Sequence, residues 1–111
     1  MSTIFGKIIA GELPAEKVFE NERFIAIKDI APKAPVHLLI IPKKEVANFQ
    51  EIEKTDLQFL SEAAEIAQKL AEEFGVEKGY RFLTNIGSDA GQTVFHLHFH
   101  LIGGKTLGDI A

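Results

Sequence analysis

An α+β domain is the fold class this sequence predicts: a five-stranded, mostly antiparallel sheet with two main helices to one side. Three observations lead there. Short β-rich segments are separated by brief polar, Gly or Pro turns. One long stretch, from Leu57 to Phe74, repeats its apolar residues every three or four positions. Near the C-terminus, apolar residues and histidines alternate strictly from Phe95 to Leu101, within a β-rich segment from Val94 to Ile102. At 111 residues the chain has the size of one domain, so residues 1–111 are expected to form a single unit.

Taken in order, Ile4, Phe5, Ile8 and Ile9 sit at helical spacing, with Ser2 or Thr3 as cap and Gly11 as stop. A short strand at Val18–Phe19 follows Pro14, and Glu20-Asn21-Glu22 is a polar turn. Phe24 to Ile30 predicts a second strand, with Ile25, Ile27 and Asp29 on one face. The stiff segment Ala31-Pro32-Lys33-Ala34-Pro35 leads into a third, Val36 to Ile41, where His37, Leu39 and Ile41 share a face. A short helical turn is expected within 44–52. Thr55-Asp56-Leu57-Gln58 has the pattern of a capping box and predicts that the long helix starts at Thr55. Its stripe is Leu57, Leu60, Ala64, Ile66, Ala67, Leu70 and Phe74, and Gly75 ends it. Tyr80–Ile86 and Val94–Ile102 are the last two strands, joined by Gly87-Ser88-Asp89-Ala90-Gly91.

Composition narrows the function. Twelve Lys and Arg against sixteen Asp and Glu give a net charge of −4, which is not the footprint of a duplex nucleic-acid binder. The absence of cysteine removes disulfides, thiolate-bound zinc, iron–sulfur clusters and thiol nucleophiles together. The longest apolar run, Val36 to Ile41, is broken by His37 and falls far short of the ~20 residues of a membrane span. The N-terminus lacks the pattern of a secretory signal. A soluble, cytoplasmic protein is expected, with neither nucleic acid nor membrane as partner.

The chemistry concentrates in Gln92-Thr93-Val94-Phe95-His96-Leu97-His98-Phe99-His100-Leu101-Ile102. Three of the four histidines occupy alternate positions within five residues. In a strand, His96, His98 and His100 share one face, with Cβ atoms ~7 Å apart, while Leu97, Phe99 and Leu101 point to the core. Such a row of imidazoles on a rigid base allows several readings. It is a His-rich solvent face, or a metal site to which His37 adds a ligand, or a site of nucleophilic catalysis by imidazole. The third reading gains from the preceding loop. Gly87, Ser88, Gly91 and Thr93 can turn N–H groups and hydroxyls toward an anion. No phosphate-loop motif of the G-x-x-x-x-G-K-[ST] kind is present, so magnesium-dependent triphosphate hydrolysis is not indicated.

His96-Leu97-His98-Phe99-His100-Leu101-Ile102 resembles the H-φ-H-φ-H-φ-φ signature of the histidine triad superfamily. The likeness extends through Ile4-Phe5-Gly6-Lys7-Ile8-Ile9, Lys28-Asp29-Ile30-Ala31-Pro32, Ala34-Pro35-Val36-His37, Ile41-Pro42-Lys43-Lys44, Gly79-Tyr80-Arg81 and Asn85 to Thr93. The whole chain is similar to the histidine triad nucleotide-binding (HINT) branch. That resemblance implies a homodimer with a ten-stranded sheet across its twofold. It also implies hydrolysis of purine nucleoside phosphoramidates and aminoacyl adenylates through a nucleotidyl-histidine intermediate. No cofactor is expected, and no metal, since cysteine is absent and N–H donors and imidazolium would stabilise the transferred group.

Residue by residue, the resemblance implies that His98 is the nucleophile, that His96 orients it, and that His37 ends the relay. His100 with Gln92 and Thr93 resembles the α-phosphate clamp. Thr93 stands where relatives often carry Ser, whose hydroxyl assists the leaving amine. Asp29 resembles the carboxylate that accepts from both ribose hydroxyls, with Ile30 beside it. Phe5, Ile8, Ile27 and Leu39 look like the base pocket, and Asn85 and Gly91 fall on the phosphate side. A non-catalytic nucleotide- or partner-binding module on the same fold, and a three-His metal-binding protein, stand as alternatives to the enzyme.

Overall fold

The structure, a computed structural model, describes residues 3–110. Seven regular elements follow one another: α1 (Ile4–Ile9), β1 (Lys17–Glu20), β2 (Phe24–Lys28), β3 (Val36–Pro42), α2 (Gln58–Glu73), β4 (Tyr80–Leu83) and β5 (Phe99–Gly103). The strands form a five-stranded antiparallel sheet in the order β1-β2-β3-β5-β4. β5, the last strand in sequence, is therefore inserted beside β3, and β4 is left at an edge.

Alternation along the strands sorts side chains onto two faces. Phe24, Ala26, Leu38, Ile40, Phe99 and Leu101 face α2 and meet its Phe59, Ala63, Ile66, Ala67 and Leu70. Ile25, Ile27, Leu39 and Ile41 face the other way, onto Phe5 and Ile8 of α1. The helices therefore lie on opposite faces, not to one side as the sequence suggested. Both faces of β2 and β3 are apolar, which only two covering layers can bury.

α1 begins at Thr3, whose Oγ1 accepts the N–H of Gly6 at 3.0 Å. Ser2, the other candidate cap, lies outside the described residues. The expected capping box of α2 does not form. Lys54–Asp56 makes a separate 3₁₀ turn, and α2 begins after Leu57 without a side-chain cap. Within the turn, the Asp56 carboxylate accepts from Lys44 Nζ at 2.6 Å. The buried stripe is Phe59, Ala63, Ile66, Ala67, Leu70 and Ala71, while Leu57 and Ala64 are exposed. Phe59 fills the place expected of Leu57, which lies at the junction of the 3₁₀ turn and α2 rather than within the helix. Gly75, at φ 73°, ends the helix in the left-handed conformation.

Three strands stop short of their expected ends, in each case beside a side-chain hydrogen bond. β2 ends at Lys28, since Asp29 Oδ1 takes the N–H of Ala31 at 2.8 Å and turns the chain. β4 ends at Leu83, where the Thr84 hydroxyl donates to the His98 carbonyl at 2.7 Å. β5 starts at Phe99 rather than Val94. Its partner β3 ends at Pro42, which has no N–H, and the Pro42 carbonyl faces His96 Nε2 at 2.8 Å. The expected turn within 44–52 is present as a 3₁₀ turn at Phe49–Glu51. Among the described residues no helix is long and apolar enough to cross a membrane.

The corrected stripe has a direct consequence. Leu70 is fully buried and Leu57 is 44% exposed. Leu70→Ala should lower unfolding free energy by about 2–5 kcal/mol, and Leu57→Ala by no more than ~0.5 kcal/mol. Urea unfolding checks both; equal losses at the two positions would restore the original stripe.

Candidate active site

The site lies on the α1 face of the sheet. Leu39 pairs with His100 and His37 with Ile102 in the β3–β5 ladder. His37 and His100 are thus diagonal neighbours on one face, and their ring centroids are 5.2 Å apart. His98, two residues before His100, places its ring 5.1 Å from that of His100. Phe5 of α1 meets His98 edge-on at 4.9 Å and His96 at 6.4 Å. The intervening Leu97, Phe99 and Leu101 are buried in the α2-side core, which anchors the segment.

Hydrogen-bond partners set the tautomers. The carbonyl of His96 can only accept, and His98 Nδ1 lies 2.7 Å from it. Neutral His98 therefore carries its proton on Nδ1 and its lone pair on Nε2. The N–H of Lys33 can only donate, and it reaches His37 Nδ1 at 3.0 Å. His37 then carries its proton on Nε2, which lies 2.9 Å from His100 Nδ1 and 3.4 Å from Asp29 Oδ2. The shorter contact makes His37 a donor to His100, so neutral His100 presents an N–H at Nε2. One imidazole thus offers a lone pair and its neighbour offers a proton.

His96 orients His98, and does so through its carbonyl. The end of the relay differs from the expected one, because His37 meets His100 and not His96. The His96 ring donates from Nε2 to the Pro42 carbonyl, and its Nδ1 is buried without a hydrogen-bond partner among the described residues.

A cavity of about 420 Å³ opens beside this row, a size suited to a small molecule. His98, His100, Thr93, Gly91 and Asn85 line one part of it. Phe5, Ile8, Ile27, Leu39, Asp29 and Ile30 also line it. His37, His96 and Gln92 lie behind the wall. Gln92, expected in the phosphate clamp, is 3% exposed, and its amide is bound to backbone and to Asn48. Sequence reading missed Ile4, Leu13, Pro14, Ala15, Lys28 and Val94, which complete the wall. Of these, Ile4 lay within the apolar pattern of α1 and carried a signal; Leu13 to Ala15 sit in a loop without one.

Burial governs protonation. It pushes His98 below the usual imidazole value, against the opposing pull of the His96 carbonyl. It lowers His100 to about 4, and the neighbouring His98 and His37 act in the same direction. His37 is lowered by burial too, with Asp29 opposing. All three imidazoles are therefore neutral at pH 7, as a lone-pair nucleophile requires.

Asp29, His37 and His100 also place one ligand-type atom each within 4.8 Å of one another. The donor set fits a metal poorly. A metal would need a lone pair on His37 Nε2, and the Lys33 N–H already holds the lone pair at Nδ1. Neutral imidazole has no second one, so binding would break that backbone hydrogen bond. The His37–His100 separation of 2.9 Å is also shorter than the ~3.3 Å between ligands of a tetrahedral zinc.

Comparison with known proteins agrees with this architecture. The family model described as HIT domain matches residues 10–107. A HIT-like protein of Chlamydia pneumoniae is 57% identical over 109 residues, covering 98% of this chain and 99% of that protein. The structure of a HIT family hydrolase from Clostridium thermocellum superposes with a TM-score of 0.93 at 54% identity, covering 97% of this chain and 95% of the other. That of a histidine triad nucleotide-binding protein from Candida albicans gives 0.83 at 35%, covering 99% and 84%. With a family match over most of its length and the same fold as a family hydrolase, the chain belongs to the HIT domain family.

Proposed function

We propose that this protein is a nucleoside phosphoramidate and aminoacyl-adenylate hydrolase that releases a nucleoside monophosphate through a nucleotidyl-His98 intermediate. The observation that carries the reading is the 2.7 Å bond from His98 Nδ1–H to the His96 carbonyl, which leaves the Nε2 lone pair beside the cavity. That lone pair attacks the α-phosphorus. A P–Nε2 bond forms as the bond from phosphorus to the leaving group breaks; a carboxylate departs with the electron pair as its anion, and an amine departs neutral, taking a solvent proton relayed through the Thr93 hydroxyl. The His100 Nε2–H donates to the phosphoryl oxygens. Water then attacks phosphorus and releases a proton to solvent, the P–Nε2 bond breaks, and His98 regains its lone pair.

On this reading Asp29 receives the ribose hydroxyls. Phe5, Ile8, Ile27, Ile30 and Leu39 enclose the base, and Asn85 and Gly91 lie toward the phosphate. The names of two structural neighbours, a HIT family hydrolase and a histidine triad nucleotide-binding protein, support the class. The poor fit of a metal at Asp29, His37 and His100 favours this reading over the metal-binding one. The proposal extends to residues 1–111 as a single HIT domain, to a cytoplasmic location, and to a homodimer whose sheets join through β4. An exposed edge strand with Phe82 38% exposed supports that pairing.

His98→Ala should abolish turnover of an adenosine phosphoramidate while adenosine monophosphate still binds, because base and ribose contacts lie elsewhere. A variant that keeps a tenth of wild-type kcat would remove His98 from the role. The acid limb of kcat/KM should have its midpoint below the ordinary imidazole value of ~6.5, since burial lowers His98 and protonation removes the nucleophile. Activity then holds as pH falls from 8 through neutrality and is lost at more acid pH; a midpoint above ~6.5 contradicts the neutral, buried nucleophile. Sedimentation equilibrium at micromolar protein should give twice the chain mass, and a monomer would rule out the shared sheet.

A further inference from the structure

The Gln92 side chain makes four hydrogen bonds, none of them to the cavity. Its Nε2 donates to the carbonyls of Ala47 at 2.8 Å and Val94 at 3.1 Å. Its Oε1 accepts from the Gly87 N–H at 2.8 Å and from Asn48 Nδ2 at 3.3 Å. Two donors facing carbonyls and an oxygen facing N–H groups fix the orientation of the amide and use its full capacity. The Gln92 N–H also donates to the Gly87 carbonyl at 3.1 Å, so the neck of the loop from Gly87 to Gln92 is closed by two bonds. Within the loop, Gly87 at φ 85° and Gly91 at φ 93° take conformations that few side chains tolerate.

The loop is tied to the segment that follows β3. Asn48 uses its Oδ1 to cap the turn at Phe49–Glu51 through the Gln50 N–H at 3.0 Å, and its Nδ2 for Gln92. One residue pair further on, the Leu97 N–H donates to the Val46 carbonyl at 2.6 Å. Residues 46–48 thus hold both the loop that brings Gly91 and Thr93 to the cavity and the start of the row that carries His98. A shift at Asn48 or Gln92 moves Thr93 relative to His98 without touching either side chain.

We infer that Gln92, with Asn48, is a positioning residue for the hydrolysis proposed above, and that it sets Thr93 and Gly91 against His98 rather than touching the phosphate. Glu cannot replace it, because a carboxylate would face the Ala47 and Val94 carbonyls. Leu fills the space and supplies no bond. The inference rests on the proposed hydrolase reading for its kinetic consequence, but its structural claim stands independently.

The test uses this chain with three single variants, Gln92→Leu, Gln92→Glu and Asn48→Ser, and the double variant Gln92→Leu with Asn48→Ser. Serine retains the cap to Gln50 and is too short to reach Gln92. Turnover is followed on adenosine phosphoramidates whose leaving amines differ in basicity, well below the unfolding temperature of each variant. Gln92→Leu should lower kcat by roughly a hundredfold with KM little changed, as expected when a reacting group is displaced by about 1 Å. Asn48→Ser should lower it less, and the double variant no further than Gln92→Leu alone. The loss should grow with the basicity of the amine, since the displaced Thr93 serves the leaving atom; a merely structural defect lowers every substrate by one factor. Hydrogen exchange at the Gly87 and Gln92 amides supplies a readout that needs no turnover, and both should exchange faster in the Gln92 variants. If wild type exchanges these amides slowly, the variants fast, and no phosphoramidate is turned over, the hydrolase reading fails while the loop clasp stands. Unchanged kcat in all three variants, a loss confined to KM, or unchanged amide exchange would overturn the inference.

Discussion

Pairing of Leu39 with His100 in the β3–β5 ladder fixes where every imidazole of the site sits. A shift of that register by one residue would turn His100 toward α2 and Leu101 toward the cavity. Two apolar rows oppose the shift. Leu97, Phe99 and Leu101 are locked into the core under α2, and Leu39 and Ile41 are locked under α1. The same register sets His37 diagonally beside His100 at 2.9 Å between ring nitrogens. Geometry at the site is therefore a by-product of burying apolar surface on both faces of one sheet.

Backbone groups then decide what each imidazole can do. The His96 carbonyl makes His98 a lone-pair donor at Nε2, and the Lys33 N–H makes His37 a proton donor at Nε2. Neither assignment depends on another side chain, so both survive changes in the bound ligand. Burial holds the rings neutral, because a charged imidazole loses its hydration there. The apolar wall of Phe5, Ile8 and Ile27 thus shapes the cavity and also lowers the charge state of the row beside it.

The alternation of the triad, the faces of β2 and β3 and the two helices were legible in the sequence, because each rests on the local period of a strand or helix. Departures came where a tertiary contact outweighed a local pattern. Thr55 to Gln58 has the residues of a capping box, but residues 54–56 make a 3₁₀ turn, tied to the segment after β3 by the Lys44–Asp56 ion pair. Helices on both faces, rather than one, follow from the doubly apolar β2 and β3, a pattern present in the sequence. The partner of His37 was not legible at all. It depends on the β3–β5 register, which joins residues 63 apart in sequence. Gln92 could be placed next to the site but not assigned its bonds, since Ala47 and Asn48 reach it only after β3 and the loop have both folded. Leu13, Pro14 and Ala15 joined the wall for the same reason, through the return of the chain after α1.

The claim that binds these observations is that His98 Nε2 forms a bond to phosphorus. Rapid quenching of the protein during turnover of an adenosine phosphoramidate, followed by peptide mass spectrometry under conditions that preserve phosphorus–nitrogen bonds, tests it directly. The account predicts one nucleoside monophosphate on the peptide containing residues 94–102, attached at Nε2 of His98 and absent from His98→Ala. Attachment at His96, His100 or His37, or steady turnover with no labelled peptide at any quench time, would contradict it.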